Sequence, residues 1–155
     1  MGQQQLLLVI LTTIIVGIAT LIAINTFGLN AEKANMDAVR QDLVQIATAV
    51  EAWKARPAAM GGGNNMYGYL SFNNISFPAT TIHGSNGFIV SNLNGTYWIR
   101  SSGAKSYSIR AFPAHIDGYI PGATPGEGWF EMLYFKDEIR MSPELNTLPS
   151  RNNRP

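Results

Sequence analysis

The chain has 155 residues, no cysteine, 14% charged residues and a formal net charge of +1. Without cysteine there is no disulfide staple, thiolate metal site or thiol nucleophile, and the redox compartment is left open; charge this sparse gives no electrostatic footprint for nucleic acid. The 46% hydrophobic content is enough for one domain, but much of it lies in the first 29 residues, so the remainder should bury only a thin core.

After a short MGQQQ head, residues 6–29 read LLLVILTTIIVGIATLIAINTFGL, and the first charged side chain is Glu32. A helix apolar on every side has no face to show water and requires hydrocarbon or a dry protein interior around it. At about 1.5 Å per residue the run spans roughly 36 Å, enough for a hydrocarbon core of about 30 Å. The head lacks the Lys or Arg that normally opens a secretory signal, and no A-x-A-like site closes the run, so cleavage of the whole segment is not expected. Thr13, Gly17 and Thr20 stand at spacings of four and three, placing three small residues on one helical face where backbones can approach closely in an apolar medium.

Beyond Asn30 the pattern turns amphipathic without a helix breaker. Met36, Val39, Leu43, Ile46, Val50 and Trp53 form a stripe at spacings of 3, 4, 3, 4 and 3, with Glu32, Lys33, Asp37, Arg40, Gln41, Asp42, Gln45, Thr48, Glu51 and Lys54 assigned to the opposite, polar side. These features predict one helix from residue 6 to 55, about 75 Å long, with any bend at residues 25–28 around Gly28. Arg56-Pro57 and Gly61-Gly62-Gly63 end it, the glycines serving as a hinge or turn.

The rest predicts an antiparallel meander, with strands at 67–72, 88–93, 96–101, 106–112 and 129–136. Asn94-Gly95 is expected to supply the two positive-φ residues of a type I′ turn, and Ser102-Gly103-Ala104-Lys105 a second tight turn. Alternation puts Tyr97 with Ile99, and Tyr107 with Ile109, on the face that meets the helical stripe. The fold class is therefore α+β. It has a long N-terminal helix, apolar in residues 1–30 and amphipathic in 31–56, packed on a small β-sheet head over 57–141. A polar tail follows at 142–155.

No constellation for catalysis is present. His83 and His115 have no ligand or triad companions at suitable spacing, no serine lies in G-x-S-x-G, and Asp117, Glu127, Asp137 and Glu138 form no calcium-loop pattern. Neither a metal nor a cofactor is expected. Asn74-Ile75-Ser76 and Asn94-Gly95-Thr96 match the N-glycosylation acceptor pattern, although Asn94 already has a turn to make. The aromatics Tyr67, Tyr69, Phe72, Phe77, Trp129, Phe130, Tyr134 and Phe135 suit core and subunit packing better than an adhesive or conducting role.

An almost headless apolar helix that runs on into an amphipathic half carrying an antiparallel sheet resembles the type IV pilins and their type II secretion pseudopilin relatives. The resemblance covers residues 2–53 by sequence character and the rest by architecture, and Gly17 falls where pilins have a helix-weakening glycine. It implies a subunit stored in the cytoplasmic membrane, processed at Gly2, and moved by pilus assembly machinery into an extracellular homopolymer. The interface in that polymer would comprise Gln3, Gln4, Gln5, Leu6, Thr13, Gly17, Thr20 and Gly28. The chain departs from the family pattern at several points. Pilins have glutamate as fifth residue of the mature chain, pairing with a neighbour's amino terminus. Here that position is Leu7 counted from Gln3, or Gln5 counted from Met1. Amides of Gln3–Gln5 would have to replace that contact. The proline that usually follows the glycine and the C-terminal disulfide loop are also missing, and the tail would pin down by lying on a neighbour. A monomeric membrane-anchored binding module and a pseudopilin or minor pilin are the alternatives. An archaeal-type pilin would follow its rod with an all-β domain.

Overall fold

A computed structural model describes residues 2–115, 128–135 and 138–142. Most of the expected loop 113–128 and all but the first residue of the tail 142–155 lie outside them, as do Met1, Asp117, Glu127 and Asp137. The chain divides into two units, Met1–Ala34 and Asn35–Pro155, and the boundary falls within the first helix.

Helix α1 runs from Gly2 to Lys54. Its first unit is rich in β-branched Val, Ile and Thr, which are mediocre helix formers in water. In an apolar medium the choice is forced, because only an internally hydrogen-bonded backbone satisfies its own N–H and C=O groups there. Helical structure continues through 25–28, with the Thr26 hydroxyl donating to Ile22 O at 2.8 Å. Thus neither Gly28 nor the Asn25–Thr26 pair interrupts it.

The helix stops where the sequence predicts, and its last carbonyls are satisfied locally. Gly63 N–H donates to Trp53 O at 3.0 Å, Asn65 N–H to Lys54 O at 2.9 Å, and the Trp53 indole to Gly61 O at 3.0 Å. A short 3₁₀ turn, Ala58–Met60, ends at Gly61 with φ 72°. Gly62 and Gly63 form a packed corner rather than a hinge. A Cβ on Gly62 would lie 2.2 Å from Arg56 O, and one on Gly63 would lie 2.7 Å from the Trp53 ring.

Six strands follow: β1 Thr81–His83, β2 Ile89–Ser91, β3 Gly95–Ser102, β4 Ser106–Pro113, β5 Phe130–Phe135 and β6 Glu138–Met141. They form one sheet in order 1-2-3-4-5-6, every neighbour antiparallel. The expected meander is therefore present and longer than predicted. Residues 67–72 are not a strand. Gly68 and the Leu70 N–H to Tyr67 O bond fold them into a turn, and Tyr67, Leu70, Phe72 and Ile75 are buried as loop anchors, without strand alternation. The added strands β1 and β6 are short edges with polar Thr81, His83, Glu138 and Arg140, too brief to show a period.

The β2–β3 turn is a hairpin, but not type I′, since neither Asn94 nor Gly95 has positive φ. Asn92 organises it instead. Its Oδ1 accepts from the N–H groups of Asn94 and Gly95 at 2.9 and 3.0 Å, and its own N–H donates to Gly95 O at 2.9 Å. Gly95 is needed for a different reason, because a Cβ there would lie 2.3 Å from Phe112 O on the neighbouring strand.

One apolar core joins the helical stripe to the sheet. Val39, Leu43, Ile46, Val50 and Trp53 are buried with Ala47, and Met36 packs at their margin. Opposite them lie Tyr97 and Ile99 on β3, Tyr107, Ile109 and Ala111 on β4, and Phe130, Met132 and Tyr134 on β5. Cross-strand register confirms the shared face: Tyr97 pairs with Ala111, Ile99 with Ile109, and Tyr107 with Tyr134.

Candidate functional site

The chain's most unusual chemistry is the surface of its first unit. Every residue from 2 to 34 is exposed, including Leu6 at 66% and Phe27 at 74%. By length and composition this helix can cross a membrane. Its hydroxyls do not look outward for partners. Thr12, Thr13, Thr20 and Thr26 donate to the carbonyls of Val9, Ile10, Val16 and Ile22 at 2.8–2.9 Å, so each threonine presents its methyl group and hides its donor. Polar demand on this stretch is left to the amides of Gln3, Gln4, Gln5, Asn25 and Asn30. A Cβ added at Gly2, Gly17 or Gly28 would meet no heavy atom within 4 Å beyond the helix's own backbone. No contact among the described residues therefore requires glycine at these positions.

In the second unit the structure gathers polar residues that lie scattered along the sequence. Asp42, assigned to the solvent side of the stripe, is in fact only 9% exposed. Its Oδ2 accepts hydrogen bonds from Asn92 Nδ2 at 2.8 Å, from Asn94 Nδ2 at 2.9 Å and from the Tyr97 hydroxyl. Next to it, Asn35 Nδ2 donates to Asn94 O at 2.9 Å while its Oδ1 lies 2.6 Å from His115 Nδ1. The Asn35 oxygen can only accept, so His115 carries its proton on Nδ1. Burial, and after it the bond to Asp42, push the Tyr97 phenol well above the ordinary tyrosine value of 10.0. The phenol is therefore a neutral donor. This knot fastens the β2–β3 turn to the helix through groups up to 59 residues apart in sequence. Its only sequence-level trace is a lone carboxylate one residue before a core leucine.

A second knot lies at the end of the helical stripe. The rings of Tyr67, Tyr107 and Tyr134 meet at 4.9–5.2 Å, and Tyr107 stacks on Tyr134 at 9°. The Tyr67 hydroxyl donates to Glu51 Oε1 at 2.6 Å, and Lys54 Nζ stands 4.7 Å above the Tyr67 ring. Burial first and the Glu51 carboxylate second raise Tyr67; burial chiefly raises Tyr107 as well.

On the other face of the sheet Glu131, 4% exposed, pairs in register with Arg110 across β4–β5, Nε to Oε2 at 3.2 Å. Arg100 reaches its other oxygen at 3.4 Å, and the Arg110 guanidinium lies 4.0 Å from the Trp129 ring centroid. Each oxygen of the buried carboxylate thus faces one arginine.

Among the described residues no three His, Asp or Glu side chains gather as a metal site. His83 Nε2 meets Ser91 Oγ at 2.7 Å, and Glu138 pairs with Arg140 at 2.6 Å. Of the two glycosylation candidates, Asn74 is exposed with its Nδ2 donating to Tyr69 O at 3.0 Å, whereas the Asn94 amide belongs to the Asp42 knot. No family model, curated protein or solved structure matches this chain.

Proposed function

We propose that the chain is a structural subunit of an extracellular helical filament of the type IV pilus kind. In this reading it is held in the cytoplasmic membrane by its apolar helix before assembly machinery moves that helix into the filament core. The observation that carries the reading is the uncharged helical surface of residues 2–31, continuous with an amphipathic segment that belongs to a folded head. Such a surface demands an apolar environment twice over, as a membrane span and as the centre of a bundle of copies. Two further features support the second home. The inward-bonded threonines leave a face with no unmet donor, and the glycines at 17 and 28 have open space around them that would let a neighbouring backbone approach.

Burying on the order of 2,000 Å² of apolar surface would be worth tens of kcal/mol relative to water at about 25 cal/mol per Å². Relative to lipid the gain is far smaller, so the transfer needs a machine that spends ATP. Chemistry on a substrate plays no part in this reading, and the head's polar knots serve its rigidity.

The test is electron microscopy of material sheared from cells producing the chain, with mass spectrometry to identify the subunit. Helical filaments built of this chain are expected. Membrane-embedded monomers without filaments would reject the proposal in favour of a membrane-anchored binding module.

A further inference from the structure

The sequence contains the dipeptide Asn-Gly twice, at Asn86-Gly87 and Asn94-Gly95, and the fold treats the two copies in opposite ways. Asn-Gly is the sequence at which an asparagine most readily loses its amide. The backbone nitrogen of the glycine, with no side chain to hinder it, attacks Asn Cγ. Ammonia leaves as a five-membered succinimide closes, and water then opens either carbonyl to give aspartate or isoaspartate. The route needs a following N–H that is not held in a hydrogen bond and an asparagine side chain able to turn toward it.

At Asn94 both requirements are blocked. Its Nδ2 is held by Asp42 Oδ2 at 2.9 Å, and the Gly95 N–H by Asn92 Oδ1 at 3.0 Å. Its carbonyl accepts from Asn35 Nδ2 at 2.9 Å and from Ala114 N–H at 2.8 Å, and its own N–H bonds to Asn92 Oδ1. Attack requires the turn to open first.

At Asn86, in the turn between β1 and β2, the side chain is exposed, and among the described residues its one hydrogen-bond partner is the Ser85 hydroxyl, 3.4 Å from Oδ1. Among the described residues the Gly87 N–H has no acceptor. Gly87 sits at φ +63°, a conformation that glycine tolerates. The Ser85 hydroxyl is placed to donate to the oxygen that gains charge when Cγ is attacked.

We propose that Asn86 is a site of spontaneous deamidation in the folded protein, water being the co-reactant, and that the Asp42 knot protects Asn94 from the same reaction. The product carries a new carboxylate at residue 86, lowering the formal net charge from +1 to 0. The isoaspartate form adds a methylene to the main chain beside Gly87, whose carbonyl accepts from Phe72 N–H at 2.8 Å. The edge strand β1 is thereby loosened at its only turn.

The full chain in detergent, incubated in buffer made with heavy-oxygen water and then peptide-mapped, tests this. Heavy oxygen should enter residue 86 at least about tenfold faster than residue 94, because reaction at 94 waits on local opening. In urea the two rates should converge. Asp42→Asn should speed conversion at Asn94 and leave Asn86 unchanged. Comparable rates at both positions in the folded chain, or an Asn86 amide that persists when folded and converts only in urea, would overturn the proposal. An Asn94 as slow in the Asp42→Asn protein as in the parent would remove the assigned cause of protection.

Discussion

Asp42 is the residue on which most of the head's long-range polar order converges. One buried oxygen satisfies three donors, so its removal strands Asn92, Asn94 and Tyr97 together. Leaving a buried donor unpaired costs about 1–3 kcal/mol, and a single hydrogen bond to a charged group contributes about 1.5–3 kcal/mol. Asp42→Ala should therefore lower stability by about 3 kcal/mol or more, and Tyr97→Phe, which leaves the carboxylate two partners, by less, about 1.5 kcal/mol. Urea midpoints of the two variants check this, and equal losses would mean that the carboxylate is not the hub. The tyrosines set the response to alkali. Tyr67, Tyr97 and Tyr107 all have phenols raised above the ordinary value of 10.0, chiefly by burial. The folded state keeps those protons where the unfolded chain has lost them. Their contribution is thus intact below about pH 10 and is lost as pH rises past it, at up to about 1.4 kcal/mol per pH unit for each phenol. Urea midpoints measured from about pH 8 to 11 should be flat and then fall steeply, with a shallower fall in Tyr97→Phe.

At the scale of elements, α1 answers to two different rules along its length. In its first unit glycine is free of any contact that requires it, which makes Gly17→Leu a sharp probe. Leucine is a good helix former, so the helix itself should be unharmed, or strengthened by about 1 kcal/mol relative to glycine. In a filament, though, the larger side chain should hold neighbouring backbones apart. Loss of filaments with normal membrane levels, read by microscopy and by fractionation, is the expected outcome. Filaments of normal yield would show that this face is not an interface. The helix, its stop ahead of Pro57 and the β3–β4 hairpin are legible in the sequence, because a 3.6-residue stripe, a proline and period-2 runs are local signals. Tyr97, Ile99, Tyr107 and Ile109 are assignable to the core for the same reason. Residues 67–72 mislead, since aromatic density suggests a strand even where Gly68 and an internal turn bury the rings by irregular spacing. The edge strands β1 and β6 are pinned by their neighbours and carry no period of their own. Asp42 and Glu131 are opaque because their partners lie tens of residues away, at Asn92–Tyr97 and at Arg100 and Arg110. No one-dimensional pattern distinguishes a buried carboxylate with three donors from a solvated one.

For the whole molecule the question is whether the head depends on the apolar helix at all. The core residues described above all belong to the second unit, from Val39 onward, and so do the Asp42, Glu51 and Glu131 clusters. A protein consisting of residues 35–155 would therefore keep its apolar burial and lose an exposed hydrophobic surface. Its new helix end would be tolerable. Asn35 already bonds Asn94 and His115, and Asp37 would place a negative charge in the first turn, where free N–H groups and the helix dipole favour one. Some fraying ahead of Val39 is the expected cost, on the order of 1 kcal/mol for a helix without a good cap. This head should be soluble and monomeric, with the near-ultraviolet circular dichroism of packed tyrosines and a cooperative urea transition. It should neither bind lipid vesicles nor form filaments, whereas the full chain is expected to do both. A head that aggregates or unfolds would show that α1 before residue 35 supports the core. Filaments formed by the head alone would place polymerisation in the sheet and remove the helix from the proposed mechanism.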